Sequence, residues 1–283
     1  MISGSVDLHT HSSASDGSLS PHQLVDVANK IGLQAISITD HDTVEGSVEA
    51  LDASAPTPLE VLPGVEISAD LPSGGMHILG YLISFRDPQL IKLLGQLQEG
   101  RRKRNREIVA RLIDLGVGVT YEEVLETAKG GQVGRPHFAE LLVHKGVVHS
   151  FDEAFGKYLG KGRPAYRERF RPRPAEAIQA IRTAGGVAVL AHPYTVERAD
   201  PYGFEGVVKE LHALGLQGLE VYYPDHDPQR TAAYERLAHR YGLVATGGTD
   251  FHGRAKSGIH LGVGRGDLRV PYCVVEAIKA CRK

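Results

Sequence analysis

The chain has no tryptophan and only two cysteines in 283 residues. Both cysteines, Cys273 and Cys281, fall in the last helical stretch, eight positions apart. On a helix that spacing exceeds two turns, too far for a disulfide. A reducing, cytoplasmic setting is the simplest expectation. Also missing is any apolar run approaching the ~20 residues of a membrane helix. No basic segment followed by an apolar one opens the chain, and Asp7, His9 and His11 come too early for a signal peptide. No membrane partner is expected. The net charge of −2 argues against stable binding to duplex DNA, which rests on many phosphate contacts.

Histidine, by contrast, is abundant, with 14 copies. A histidine is costly to bury unless it is hydrogen-bonded or ligated. The small net charge also hides an asymmetry. Residues 86–173 carry 18 Lys+Arg and 11 Asp+Glu, a local charge of +7, and the remainder carries 14 and 23, a charge of −9. A basic segment inside an acidic body suits an anionic substrate held by the middle of the chain beside a cation-binding remainder. Apolar residues make up 42% of the chain, which suffices for a full core.

Strand and helix signals alternate from the start. Residues 5–11 predict a strand. Ser20 caps a helix that begins at Pro21 and stops at Gly32. Strands follow at 35–39, 60–68 and 76–83, and Thr43 is placed to cap a helix that ends near Pro56 and Pro58. From 87 to about 115 the pattern turns helical, with Leu90, Leu93, Leu94 and Leu97 as its apolar stripe. Shorter helices are expected at 121–128, 136–145 and 151–159, then a basic connector from Gly160 to Pro174. The alternation resumes with a helix at 175–184, strands at 187–191, 218–222 and 243–246, and helices at 203–214, 228–241 and 271–281. This order predicts a parallel α/β sheet or barrel, with residues 1–85 and 174–283 forming one domain and 86–173 an all-helical insert.

His9 and His11 lie two apart on the first strand, so they share a face and form half of a metal site. Metal-type residues recur at the ends of other strands: His41, Glu66, His192, and Asp250 with His252. His77 lies on a further strand, and Asp16 follows the first. Strand ends of parallel α/β folds converge on one mouth. Six His, two Asp and one Glu, with Glu66 bridging, supply about three protein bonds to each of three metals, which leaves positions open for water or substrate. Mixed nitrogen and oxygen donors suit Mn, Fe or Zn. Asp40 and Asp42 flank His41 and are expected to accept from ligating rings. His22, His144, His149, His212, His226, His239 and His260 read as ordinary. Arg135 precedes Pro136 at a helix start, where backbone N–H groups and a guanidinium can bind phosphate; His137 and Lys161 are further phosphate-binding candidates. The run Arg101-Arg-Lys-Arg-Asn-Arg106 reads first as a solvated helix face, with substrate or RNA contact as the alternative.

Taken together, Asp7-Leu8-His9-Thr10-His11, Asp16-Gly17, Ile38-Thr39-Asp40-His41-Asp42, Gly64-Val65-Glu66, His77, Ala191-His192-Pro193 and Thr249-Asp250-Phe251-His252 resemble the PHP (polymerase and histidinol phosphatase) family over nearly the whole chain. The resemblance implies a distorted seven-stranded, TIM-like β/α barrel with two or three divalent ions. His9, His11, Glu66 and Asp250 would hold one ion, Glu66, His77 and His192 a second, and Asp16, His41 and His252 a third. Within the insert, Gly134-Arg135-Pro136-His137-Phe138-Ala139 and Tyr158-Leu159-Gly160-Lys161-Gly162 are similar to the branch of 3′,5′-nucleotide bisphosphate phosphatases and 5′-to-3′ exoribonucleases. The implied enzyme hydrolyses 3′,5′-bisphosphonucleotides, or short RNA with a 5′-phosphate, with Glu66, Asp250 and His192 in catalytic positions and the insert as a lid. The proton donor to the leaving alcohol is left open. Another phosphatase of the family, such as one acting on histidinol phosphate, and a non-enzymatic metal- or RNA-binding protein are the alternatives.

Overall fold

Eight strands form one sheet that curls almost into a closed barrel, as seen in a computed structural model describing residues 4–55, 57–71, 74–199 and 203–282. The chain opens with β1 (Ser5–Thr10), α1 (Pro21–Ile31), β2 (Ala35–Ile38), α2 (Glu45–Ser54), β3 (Glu60–Leu71) and β4 (Gly74–Tyr81). Helices then take over: α3 (Pro88–Asp114), α4 (Tyr121–Thr127), α5 (Arg135–His144) and α6 (Phe151–Ala154), the last running into a π-turn at Phe155–Leu159. The barrel resumes with α7 (Pro174–Thr183), β5 (Val187–Leu190), α8 (Tyr194–Ala199), α9 (Phe204–Ala213), β6 (Gly218–Tyr222), α10 (Pro228–Arg240) and β7 (Val244–Gly247). It ends with β8 (Val270–Pro271) and α11 (Cys273–Cys281), which bears both cysteines. Among the described residues no helix is long and apolar enough to cross a membrane.

Local chemistry explains several boundaries. The Ser20 side chain accepts from the Gln23 backbone and the Gln23 side chain accepts from Ser20, while Gly32 stops α1 in the left-handed region at φ 85°. At α2 the expected cap is displaced: Val44 occupies the cap position without a side-chain bond, and Thr43 only approaches the Glu45 amide at 3.5 Å. Pro56, expected to end that helix, lies outside the described residues.

The strands lie in the order β7-β6-β5-β4-β3-β2-β1-β8. Seven are those read from the pattern. The eighth has two residues, too few for any period, and pairs antiparallel with Ser5 and Val6. At the other end of β1 the ring is closed by Asp250 N donating to His9 O at 2.7 Å and His11 N donating to Phe251 O at 2.9 Å. The expectation of a parallel sheet or barrel is corrected at β4 as well as at the short β8. β4 runs antiparallel to both β3 and β5, as the return arm of a hairpin with β3. Alternation of side chains does not encode strand direction, so the pattern could not show this.

Two packing units share α3. Its first turns put Leu90, Leu93, Leu94 and Leu97 against the barrel side, with Ile178 and Ile181 of α7. Its last turns put Ile108 and Leu112 into a separate apolar cluster with Phe138 and Leu142 of α5. One rigid helix therefore ties the helical segment to the barrel.

Candidate metal centre

The nine residues singled out by pattern converge on the rim where β1, β2 and β3 end. His9 and His11 point the same way, with ring centroids 5.3 Å apart. Glu66 lies at the centre. Its Oε1 is 2.9 Å from His77 Nδ1 and 3.0 Å from His192 Nε2, and its Oε2 is 2.7 Å from His41 Nδ1 and 3.3 Å from His11 Nε2. Asp250 Oδ1 faces His11 Nε2 at 3.2 Å, and Asp16 Oδ1 faces His252 Nε2 at 3.4 Å. The reversed β4 still contributes, because His77 is near its start, opposite Ser68 of β3. The beginning of a reversed strand lies at the same rim as the ends of its neighbours.

Backbone strain collects here. Asp42, His192 and Asp250 have φ of 56°, 27° and 53°, a region that side chains rarely adopt. Close approach is also required. Gly248 abuts β1 so tightly that a Cβ would lie 2.3 Å from the His9 amide nitrogen.

These residues fit divalent cations on a structural test. His9 Nε2, His11 Nε2, His41 Nδ1 and Glu66 Oε2 are buried and lack hydrogen-bond partners. Several are close to one another without hydrogen-bond geometry, as expected when lone pairs aim at a common point. Burial alone would push the Glu66 carboxyl up, but the neighbouring imidazoles of His77, His41, His9 and His11 hold it well below the usual carboxylate range. Burial pushes His77 down to about 4 against the pull of Glu66, with His41 and His192 adding repulsion, so its ring is neutral and able to ligate at neutral pH. Three sets of ligand atoms lie within 4.8 Å of one another: His9, His11 and Asp250; His11, Asp16, His41 and His252; and His41, Glu66 and His77. His41 thus reaches two sets, while His192 enters through Glu66 and through His77 Nδ1 at 3.2 Å.

The orienting groups differ from those expected. Asp40 accepts from the Ser12 amide at 2.7 Å and from the hydroxyls of Ser12 and Ser15, which shapes the loop after β1. Asp42 accepts from Arg101, Arg169 and Ser68. Neither carboxylate bonds a ligating ring. That role falls to Glu220 on β6, fully buried, with Oε1 2.8 Å from His9 Nδ1 and Oε2 accepting from the His192 amide at 2.6 Å. An acid inside an otherwise apolar strand, Gly218-Leu-Glu-Val-Tyr222, was the available signal. Tyr223 and Lys256 hold Asp250 Oδ2 at 2.8 and 2.7 Å, which leaves Oδ1 toward the histidines.

Beside the histidines opens a cavity of about 320 Å³ whose lining includes His41, His77, Arg101, Arg104, Arg135 and Arg169. Arg171 also borders it. The first reading of the 101–106 run as a solvated face fails at three positions, since Arg101, Arg104 and Asn105 are 6%, 4% and 1% exposed. Arg101 and Arg169 converge on Asp42 Oδ2 at 2.6 and 3.1 Å. Arg104 spends its Nε on Asn105 Oδ1, and its Nη2 is buried without a partner. Burial, then repulsion from Arg101, Arg169, Arg135 and Arg171, drives the Arg104 pKa well below its ordinary value. A guanidinium holds its proton in such settings, so an anion in the cavity would relieve the repulsion.

The three phosphate candidates separate. Arg135 is the first residue of α5, lines the cavity, and lies over Tyr166 at 5.3 Å from the ring centre. His137 is buried, with Nδ1 accepting from the Gly134 amide at 2.9 Å, and faces a neighbouring cavity with Asp16. Lys161 is exposed on the turn after the π-turn and is not among the lining residues.

Imidazoles and carboxylates facing inward at one rim, beside an unpaired guanidinium, define a metal-dependent hydrolase acting on phosphate esters. A profile of the PHP domain matches residues 7–255, and the chain belongs to that family of metal-dependent phosphoesterases. A 3′,5′-nucleoside bisphosphate phosphatase of Chromobacterium violaceum is 33% identical over 258 residues, 91% of this chain and 90% of that one. A 5′-3′ exoribonuclease of Haemophilus influenzae is 34% identical over 246 residues, 87% of this chain and 89% of that one. The crystal structure of a Bifidobacterium adolescentis protein superposes with a TM-score of 0.87 at 30% identity, over 98% of this chain and 96% of that one.

Proposed function

We propose that the protein removes the 3′-phosphate of nucleoside 3′,5′-bisphosphates, giving the 5′-monophosphate and phosphate, and that RNA with a 5′-phosphate is its longer substrate. The observation that carries this reading is Arg104, a buried guanidinium with a free Nη2 in a cavity shared with His41 and His77. Such a cavity suits a second phosphate on the same molecule, one phosphate at the histidines and the other at the arginines. The activities of the relatives from Chromobacterium and Haemophilus support the same substrate class.

In this reading His9, His11, Glu66 and Asp250 would hold one ion, Glu66, His77 and His192 a second, and Asp16, His41 and His252 a third, of Mn, Fe or Zn type. When bound, such ions supply Lewis-acid charge at phosphoryl oxygens and a nucleophile at neutral pH. The chain's own groups do the rest. Glu220 fixes the tautomer and tilt of His9 and pins the His192 backbone. Lys256 and Tyr223 present Asp250 through one oxygen. His192 Nε2 faces Glu66 and its Nδ1 lies 3.2 Å from Thr195 Oγ1, so it acts as a ligand and leaves the alcohol's proton to solvent. Arg104, with Arg135 and Arg171, binds the 5′-phosphate and orients the 3′-phosphorus. Residues 86–173 serve as the cap that carries these cations.

The test is phosphate release from adenosine 3′,5′-bisphosphate with Mn²⁺, comparing wild type with Arg104→Met. Losing a charged hydrogen bond to phosphate should lower kcat/KM roughly 10- to 150-fold, while cleavage of a plain aryl phosphate is unchanged. Equal loss on both substrates, or an aryl phosphatase inert toward the bisphosphate, would overturn the reading.

A further inference from the structure

Three concavities adjoin one another along the mouth. The first is the arginine cavity. The second, of about 200 Å³, is lined by residues that include Asp16, Ser18, Lys129, His137, Phe151 and Arg254. The third, of about 600 Å³, is lined by residues that include Ser13, Ser18, Ser20, Gln23, Lys129 and Arg254. Asp16 borders the first two, and Ser13, Ser18, Lys129 and Arg254 border the last two. These shared residues line the three concavities up in a row, from the arginines, past a carboxylate at the histidine rim, to the surface at the start of α1.

Two cations flank this row, and the backbone holds both close to the rim. Arg254 follows Gly253, whose φ of 66° and closeness to Ser18 exclude any side chain, since a Cβ would lie 1.9 Å from Ser18 Oγ. Ser18 N donates to His252 O at 3.0 Å and Arg254 N donates to Ser18 Oγ at 3.1 Å, so the loop bearing Arg254 is sewn to the loop bearing Asp16. Lys129 lies in the turn after α4, whose next residues are tied inward. Gln132 N donates to Ala14 O at 2.9 Å and Gln132 Nε2 to His41 O at 3.0 Å. Among the described residues neither Lys129 nor the Arg254 guanidinium has an ion-pair partner. The other polar lining groups are serine and threonine hydroxyls, the Gln23 amide, the His137 ring and the carboxylates of Asp16 and Glu140, beside the half-buried ring of Phe151.

Cations for phosphates, an aromatic face for a base and hydroxyls for ribose are the elements of single-strand recognition. In a nucleoside 3′,5′-bisphosphate the 3′-phosphate is terminal and needs nothing beyond the rim. In RNA the same phosphorus carries the next nucleoside, which must leave the rim by some path. Resting on the function proposed above, we infer that the track from Asp16 to Ser20 receives the nucleotides on the 3′ side of the scissile phosphate of a single-stranded, 5′-phosphorylated RNA. Lys129 and Arg254 are its specificity determinants for chain length.

The experiment compares wild type with Lys129→Ala/Arg254→Ala in the Mn²⁺-loaded full chain. KM for a 5′-phosphorylated RNA pentamer should rise about tenfold or more, and its log–log salt slope should shrink by about 1.4, or ~0.7 per lost single-strand contact. Kinetics on adenosine 3′,5′-bisphosphate should stay within about twofold of wild type, as neither residue touches a terminal phosphate. An equal change on both substrates, or an unchanged pentamer KM, would overturn the inference. Fluorescence anisotropy with a pentamer carrying a phosphorothioate at its first linkage measures occupancy of the track independently of turnover. Binding about tenfold weaker in the variant supports the track, and equal binding removes it even if the bisphosphate proves a poor substrate.

Discussion

Replacing Asp42 with Asn should destabilise the protein far more than a one-atom change suggests. Asp42 Oδ2 accepts from Arg101 Nε and Nη2 at 2.8 and 2.6 Å and from Arg169 Nη1 at 3.1 Å. Its Oδ1 accepts from the Ser68 amide at 2.8 Å. The carboxylate is fully buried and both guanidiniums are nearly so. Asn keeps the size and tolerates the φ of 56°, so the variant removes the charge and one of the two acceptor oxygens without opening a cavity. Removing one partner of a buried pair costs about 3–5 kcal/mol. Two cations lose the same partner here, so the upper end, about 5 kcal/mol, is expected. The sign with pH is also set. Burial would raise the Asp42 carboxyl, but Arg101 and Arg169 hold it well below the usual range. Its contribution is therefore complete above the unfolded value of about 3.9 and is lost only as pH falls through the depressed folded value. Urea unfolding followed by far-UV circular dichroism, in phosphate-free buffer, should show the full deficit equally at pH 6 and pH 8. The double variant with Arg101→Met should recover part of it, because the stranded cation is gone. A deficit below about 1 kcal/mol, or strict additivity in the cycle, would refute the reasoning.

Glu220→Gln keeps the shape of the carboxylate but removes the charge that fixes His9; metal affinity, read by titration calorimetry, should fall about 10- to 100-fold, and unchanged affinity would return Glu220 to a packing role. Gly248→Ala places a Cβ against the His9 backbone, where no side chain can yield. A loss of about 3 kcal/mol is expected in thermal or urea unfolding, and wild-type stability would show that β1 and the 248 turn can separate.

Much of this architecture was legible because its signals are local. The seven longer strands, the Ser20–Gln23 cap and the Leu90–Leu97 stripe each depend on neighbours within a few positions. The nine metal-type residues were legible for a different reason: they recur at strand ends, and strand ends share a rim. The direction of β4 was not, since a hairpin arm and a parallel strand alternate alike. Glu220 was passed over because a single acid on a strand reads the same whether it orients a ring or pairs with a lysine. Arg101 and Arg104 were hidden for the converse reason. A basic run looks solvated until a buried acid such as Asp42, 59 positions away from Arg101, is brought to it by the fold. Lys161, a motif residue, lies exposed and outside the lining of the arginine cavity.

The reversal of β4 also determines how far the chain must travel. β4 starts at the histidine rim and ends at the opposite one, so α3 begins on the far side of the barrel from the chemistry. With 27 residues, α3 is roughly 40 Å long at 1.5 Å per residue. Arg101 lies 13 positions into the helix, roughly 20 Å from its start. The helix is in effect a measuring rod, and the arginine cavity forms only where its mark meets the rim. Length before Arg101 is thus a design variable of the pocket: one turn added or removed keeps both arginines on nearly the same face of the helix, yet moves them by about 5.4 Å, past the reach of Asp42.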